Sequence, residues 1–205
     1  MLDRHLHPRV KPALNRLASW QDKPGITPDG LTLTGFAAGV LTLPFLALGW
    51  YPAALVAIVA NRLLDGLDGA LARRRGLTDA GGFLDIALDF LFYALVPFGF
   101  ALAAPAQNAL AAAWLLFAFI GTGSSFLAFA ALAAKHNIDN PGYAHKSFYY
   151  IGGLTEGTET IVLFVLCCLF PAHFTLLAWV FGALCWLTTT TRIWSGYLTL
   201  RSLTP

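Results

Sequence analysis

Residues 90–134, FLFYALVPFGFALAAPAQNALAAAWLLFAFIGTGSSFLAFAALAA, contain no Lys, Arg, Asp or Glu. Residues 30–61 and 160–191 are equally free of charge. Each run is longer than the roughly 20 apolar residues that one membrane-crossing helix needs. Each is also interrupted once, at Trp50-Tyr51-Pro52, at Pro105-Ala106-Gln107-Asn108 and at Phe170-Pro171-Ala172-His173. Three runs broken once predict three hairpins. Backbone polar groups in lipid must be satisfied within their own segment, so the spans are helices. The expected spans are residues 31–49, 53–73, 82–104, 108–134, 148–170 and 174–200.

The whole composition agrees with this reading. The chain has 205 residues, 57% of them hydrophobic and 12% charged, with a mean hydropathy of +0.65. The charged share is about half that of an ordinary soluble domain, which excludes a disordered chain. A net charge of +2 is too small to argue for nucleic acid. Cys167, Cys168 and Cys185 lie in apolar runs without metal-ligand spacing and read as small buried residues. The N-terminal region has no continuous apolar stretch with a small-residue cleavage site, so no cleavable signal peptide is expected.

Lys and Arg set the orientation. Arg4, Arg9, Lys11, Arg16 and Lys23 precede the first span, and Arg73, Arg74 and Arg75 end the second. Lys135 and Lys146 flank the connection between spans four and five, and Arg192 and Arg201 lie near the C-terminus. The other three connections carry neither residue. With six spans, all basic connections and both termini fall on the cytoplasmic side. Leu2, Leu6, Val10, Leu14 and Leu17 alternate with basic residues at near-helical spacing, as in an amphipathic helix lying in the interface. The expected architecture is therefore all-α: a polytopic membrane protein forming one domain over residues 1–205. Residues 1–26 form the interfacial segment and residues 27–205 a bundle of six transmembrane helices. Thr27-Pro28-Asp29 reads as the start signal of the first span. Gly35/Gly39 and Gly153/Gly157 have the spacing that lets helices approach closely.

Six carboxylates lie inside the expected spans: Asp65, Asp68, Asp85, Asp89, Glu156 and Glu159. Intramembrane carboxylates are costly and mark function by default. Asp65 and Asp68 share one helix face, as do Asp85 and Asp89. A short connection makes their helices antiparallel neighbours, so the four carboxylates converge near the cytoplasmic ends. They cannot all ionise at close range without cations. Arg62 and the run Arg73–Arg75 are one source. Hard divalent ions are the other, since Mg²⁺ favours carboxylate oxygens together with substrate phosphates, and two such ions suit phosphoryl transfer. A transporter or channel whose acidic cluster lines an ion pathway is the competing reading.

The segment from Asp65 to Asp89 also fits D-x2-D-G-x2-A-R-x7-G-x3-D-x3-D, through Asp65, Asp68, Gly69, Ala72, Arg73, Gly81, Asp85 and Asp89. This resembles the signature of the CDP-alcohol phosphotransferase family, whose members have six spans with the signature bridging spans two and three. Transport would not require Gly69, Ala72 and Arg73 at fixed offsets. The resemblance implies an inner-membrane enzyme of phospholipid biosynthesis with its active site facing the cytoplasm. It implies that a small alcohol attacks the β-phosphorus of a CDP-alcohol, CDP-diacylglycerol being the usual donor, and that CMP leaves. It further implies that Asp65, Asp68, Asp85 and Asp89 hold two Mg²⁺ or Mn²⁺ ions and that Asp89 is the general base. Gly69, Arg73 and Thr78 are implied at the donor nucleotide, together with Asp29, which stands where the family's T-P-N-x-L-T segment has Asn. A homodimer is implied as well.

The acceptor is read from the remaining charges. Lys135, Lys146 and Arg192, at cytoplasmic span ends, suit an acceptor phosphate or serve as interfacial positive charges. Glu156, about ten residues into span five, and Glu159 suit a cationic or polyhydroxy head group, with His145 and Tyr150 nearby. Alternatively the two glutamates pair with Arg192 or a hydroxyl within the bundle.

Overall fold

The structure, a computed structural model, describes residues 25–136 and 153–202 together with Pro12, Arg16 and Ile138. Among the described residues it is all-helical: α1 (Pro28–Val40), α2 (Thr42–Ala47), α3 (Tyr51–Arg75), α4 (Asp79–Ala103), α5 (Pro105–Lys135), α6 (Gly157–Leu169) and α7 (Phe174–Arg201), with a 3-10 turn at Pro171–His173 before α7. The expected interfacial helix lies outside the described residues, except that Pro12 and Arg16 are helical.

The first span starts where the sequence places it. The Thr27 hydroxyl caps α1 by accepting from the Gly30 N–H, and Pro28 occupies the first turn. The span is not one helix, however. It breaks at Leu41, because Pro44 has no N–H for the Val40 carbonyl and its ring crowds that carbonyl. The hairpin that follows is closed by a Schellman motif. Gly49 takes φ +71°, its N–H bonds the Leu46 carbonyl, and the Trp50 N–H bonds the Phe45 carbonyl. The Phe45 and Trp50 rings stack across this turn at 6.2 Å.

The second hairpin is tighter than expected. Pro105 to Asn108 form the first turn of α5 rather than a loop, and only Ala104 separates the helices. A proline at the first helical position lacks only an N–H that would be unpaired anyway. Asn108 Nδ2 donates to the Phe100 carbonyl, and the Thr175 hydroxyl donates to Asn108 Oδ1, so both ends of the Asn108 carboxamide are engaged at the joint.

The fifth span departs most from expectation. Residues 153–156, expected within a helix, are not helical, and α6 begins at Gly157. Glu156 and Glu159 form a reciprocal capping box that starts the helix there. Gly153 and Gly157 are therefore not one helix face. Glu156 is a cap, not a residue ten positions into a span.

Packing follows the rule for helices in lipid, where close approach replaces the hydrophobic drive. α5 lies along α7, α1 on α3, and α4 against α1, α2 and α5. Gly35 and Gly39 are used within the chain: a Cβ on Gly39 would stand 2.8 Å from Phe92 Cδ2 and 2.9 Å from Asn61 Nδ2. Phe92, Phe100, Phe164 and Phe174 fill the core, with Phe100 and Phe174 stacked at 4.4 Å. The three cysteines are free and buried. Val56, Leu110, Ile120 and Leu176 face outward, as expected of side chains meeting hydrocarbon.

By length and composition, four spans among the described residues suit a bilayer: Pro28–Ala47, Asp79–Ala103, Pro105–Lys135 and Pro171–Arg201. α3 has the length, with 25 residues, but carries Arg62, Asp65, Asp68 and the Arg73–Arg75 run. α6 has 13 residues, shorter than the roughly 20 of a full crossing.

Candidate active site

α3 and α4 are consecutive helices joined by Gly76, Leu77 and Thr78, and they meet through side chains, Arg62 on α3 reaching Asp89 on α4. Gly76 ends α3 with φ +105°. The Thr78 hydroxyl then caps α4 by accepting from the Gly81 N–H, which fixes where the turns carrying Asp85 and Asp89 begin. Carboxylate oxygens of Asp65, Asp68 and Asp85 all lie within 4.8 Å of one another. Asp89 lines the same depression, with Thr32, Phe36 and Asn61 on its walls.

The four carboxylates are not equivalent. Asp89 Oδ1 accepts from the Arg62 guanidinium at 2.7 Å, and Asp89 Oδ2 accepts from the Tyr93 hydroxyl at 3.4 Å. A second Arg62 nitrogen stands 3.5 Å from Asp65 Oδ2. Arg62 Nε donates to Asn61 Oδ1 at 2.7 Å, and Asn61 Nδ2 donates to the Gly35 carbonyl at 2.9 Å. The guanidinium carbon lies 4.6 Å from the Phe92 ring centre, a cation–π contact that suits a fixed arginine.

Asp68 is buried, and its Oδ2 has no hydrogen-bond partner. An orphaned buried carboxylate oxygen costs several kcal/mol unless a cation or donor meets it. Three converging carboxylates, one carrying such an oxygen, form the hard oxygen donor set that Mg²⁺ or Mn²⁺ prefers. The residues fit a divalent ion.

The remaining residues expected at the site fall into three groups. Gly69 and Arg73 lie together on α3: a Cβ on Gly69 would stand 3.3 Å from an Arg73 guanidinium nitrogen. Asp29 and Thr78 meet at the start of α4, where Asp29 Oδ1 is 3.1 Å from the position a Gly81 Cβ would take. That location explains an acid at position 29, because a carboxylate over the first turn of a helix is favoured by the dipole. Of the expected acceptor residues that are described, Lys135, Glu156 and Arg192 do not line the acidic depression. Lys135 is exposed in the last turn of α5, and Glu156 caps α6. Arg192 is buried and donates to the Thr122 carbonyl at 3.1 Å. Lys146, like His145 and Tyr150, lies outside the described residues.

Of the two arginine sources anticipated for the cluster, Arg62 is the one that reaches it. Arg75 instead donates to the Ile26 carbonyl. Asn61 and Tyr93 are site residues that the charge pattern does not reveal. Their signal is positional: each stands four residues from a cluster aspartate, Asn61 before Asp65 and Tyr93 after Asp89, on the same helix face.

An acidic cluster shared by two consecutive helices of an all-helical bundle, with an arginine and a glycine on one of them, defines a class. Residues 25–194 match the CDP-alcohol phosphatidyltransferase family, and the chain belongs to it. It is 83% identical over 203 residues to the inner membrane protein YnjF of Escherichia coli K12, covering 99% of this chain and 98% of that protein. It is 39% identical over 98 residues to an archaetidylinositol phosphate synthase of Pyrococcus horikoshii, covering 47% of this chain and 52% of that one. Two crystal structures of the Mycobacterium tuberculosis phosphatidylinositol phosphate synthase PgsA1 share the fold at 21% identity. The form with CDP-DAG bound gives a TM-score of 0.67 over 90% of this chain and 93% of that one. The form in complex with manganese and citrate gives 0.72 over 90% and 88%.

Proposed function

We propose that this chain transfers a phosphatidyl group from CDP-diacylglycerol to a small alcohol, releasing CMP, in phospholipid synthesis at the bacterial inner membrane. The observation that carries the reading is the convergence of Asp65, Asp68 and Asp85, with Asp68 carrying a buried, partnerless oxygen, at the family's signature spacing. The CDP-DAG bound by the tuberculosis synthase, which has the same fold, supports the donor. The inner-membrane designation of the Escherichia coli relative supports the location.

Asp65, Asp68, Asp85 and Asp89 would hold one or two Mg²⁺ or Mn²⁺ ions. When bound, such ions neutralise the donor pyrophosphate and the charge that develops on departing CMP. The other roles belong to the chain. Arg73 places a forked, permanently charged donor beside Gly69, which suits a pyrophosphate and leaves room for the nucleotide. Thr78 and Asp29 frame the same end of α4. Asp89 accepts the acceptor's proton while the acceptor oxygen bonds to the β-phosphorus and the phosphorus–oxygen bond to CMP breaks. Acyl chains stay in lipid throughout, which accounts for nucleotide chemistry inside a membrane bundle. The bundle has six crossings with both termini cytoplasmic, and two copies associate.

Lys135, Lys146, Glu156 and Arg192 are proposed at the acceptor. Gly157 supports a position for Glu156 near the reacting groups: a Cβ there would be 3.4 Å from the Tyr93 hydroxyl, which itself contacts Asp89. The test is metal-dependent CMP release from CDP-diacylglycerol by the purified protein, screened with glycerol phosphate, inositol phosphate, serine and other alcohols. One acceptor should give release that EDTA abolishes. Absence of release with every alcohol would refute the transferase reading and favour an ion pathway.

A further inference from the structure

Arg62 lies outside the signature, yet it contacts two of its four aspartates. Its place is fixed from several directions. Nε is held by Asn61, Asn61 is anchored on the α1 backbone at Gly35, and the guanidinium plane rests against Phe92. A surface arginine samples many rotamers, whereas this one presents two nitrogens at set positions, one to Asp89 and one to Asp65. A planar fork held this way is preorganised in a way that a lysine cannot reproduce.

The consequence is a division of the cluster. Asp65, Asp68 and Asp85 offer three oxygens to one ion without help from Asp89. Both Asp89 oxygens are engaged, one by Arg62 and one by Tyr93. A second divalent ion bridging Asp89 to the cluster would meet a carboxylate that Arg62 already holds at 2.7 Å. It would also face a positive guanidinium at contact range, where like charges repel strongly in a poorly solvated site. The ion and the guanidinium therefore compete for one carboxylate.

We propose that Arg62 is a resident counter-cation for Asp89 that competes with the second divalent ion, so that the metal centre fills in two unequal steps. This rests on the metal-dependent transferase reading above. Arg62 is a positioning residue here: it acts on the reaction through Asp89. It neutralises Asp89 while the donor is absent, and it yields that carboxylate when the second ion enters.

The experiment is a Mn²⁺ titration of the purified, donor-free protein in detergent, followed by electron paramagnetic resonance. In wild type the first equivalent should bind as an isolated ion. The second should bind at least tenfold more weakly, and spin-coupled pairs should form only in excess metal. Arg62→Gln should tighten the second step at least tenfold and the first by a smaller factor, since Arg62 also stands 3.5 Å from Asp65. Arg62→Lys, which keeps the charge, should retain unequal steps. The first-step affinity and a monodisperse gel-filtration profile report that each variant is folded. If Arg62→Gln does not fold, the wild-type and Arg62→Lys titrations decide. Equal filling of two sites in wild type overturns the proposal, as does an unchanged second step in a folded Arg62→Gln protein. Either result, alongside EDTA-sensitive CMP release, leaves the transferase reading standing. No Mn²⁺ binding by any of the proteins overturns both.

Discussion

Asn61 on α3 donates its carboxamide N–H to the Gly35 carbonyl on α1 over 2.9 Å, and the contact is buried. The amide's other end accepts from Arg62, so its orientation is set on both sides. The space for it exists because position 39 has no side chain. Gly39→Ala would place a methyl group 2.8 Å from Phe92 and 2.9 Å from the Asn61 amide. Overpacking of this kind costs about 1–3 kcal/mol. A clear fall in the melting temperature of the detergent-solubilised protein is the expected result. An unchanged transition would show that the helices part without cost.

Asp89→Asn and Asp68→Asn should fail in different ways. The amide at position 89 fills the same space but cannot take a proton, so turnover should fall by about 10²–10⁴, with CDP-diacylglycerol affinity largely kept. At position 68 the buried, partnerless oxygen is lost as a ligand, so metal and donor affinity should fall together with turnover. CMP release and donor binding measured on both variants separate the two. Full activity in Asp89→Asn would leave the general-base role without support.

A third expectation concerns the start of α6. The Thr188 hydroxyl on α7 accepts from the Leu154 and Thr155 N–H groups and from the Thr155 hydroxyl. Thr188→Val keeps the shape and removes the acceptor. Leaving buried donors unpaired costs about 1–3 kcal/mol for each group. The melting temperature should drop for Thr188→Val and recover in Thr188→Ser, which restores the hydroxyl. Equal behaviour of the two variants would point to packing instead.

Topology is tested separately. Because every Lys- or Arg-bearing connection falls on one side in the six-span arrangement, a reporter fused after Pro205 should read out as cytoplasmic. A periplasmic signal would require an odd number of crossings.

Short-range signals carried most of what the sequence revealed. Asp65, Asp68, Asp85 and Asp89 announce a shared site because their offsets are those of helix faces joined by a short turn. Thr27-Pro28 gives the start of α1 for a local reason as well. The break at Leu41 follows from Pro44, a signal that a wholly apolar run conceals. The start of α6 depends on Glu156 and Glu159 capping each other, and that spacing reads equally well as two intramembrane acids. The Arg62–Asp89 pair joins positions 27 residues apart. Only the tertiary fold, in which α1 packs on both α3 and α4, brings Arg62 to Asp89.

The polarity of α3 bears on how the protein is made. Arg62, Asp65 and Asp68 each oppose partition from the translocon into lipid by about 2.5–3.5 kcal/mol near a helix centre. The helix's apolar residues return only a few tenths of a kcal/mol apiece on the same scale. α3 is therefore a poor autonomous inserter. As the second crossing of the six-span arrangement it would enter the bilayer as a passenger, once α1 and α4 are at hand to shield its charged face. A nascent chain halted before α4 emerges from the ribosome would leave the helix that carries half of the aspartate cluster exposed to quality-control proteolysis.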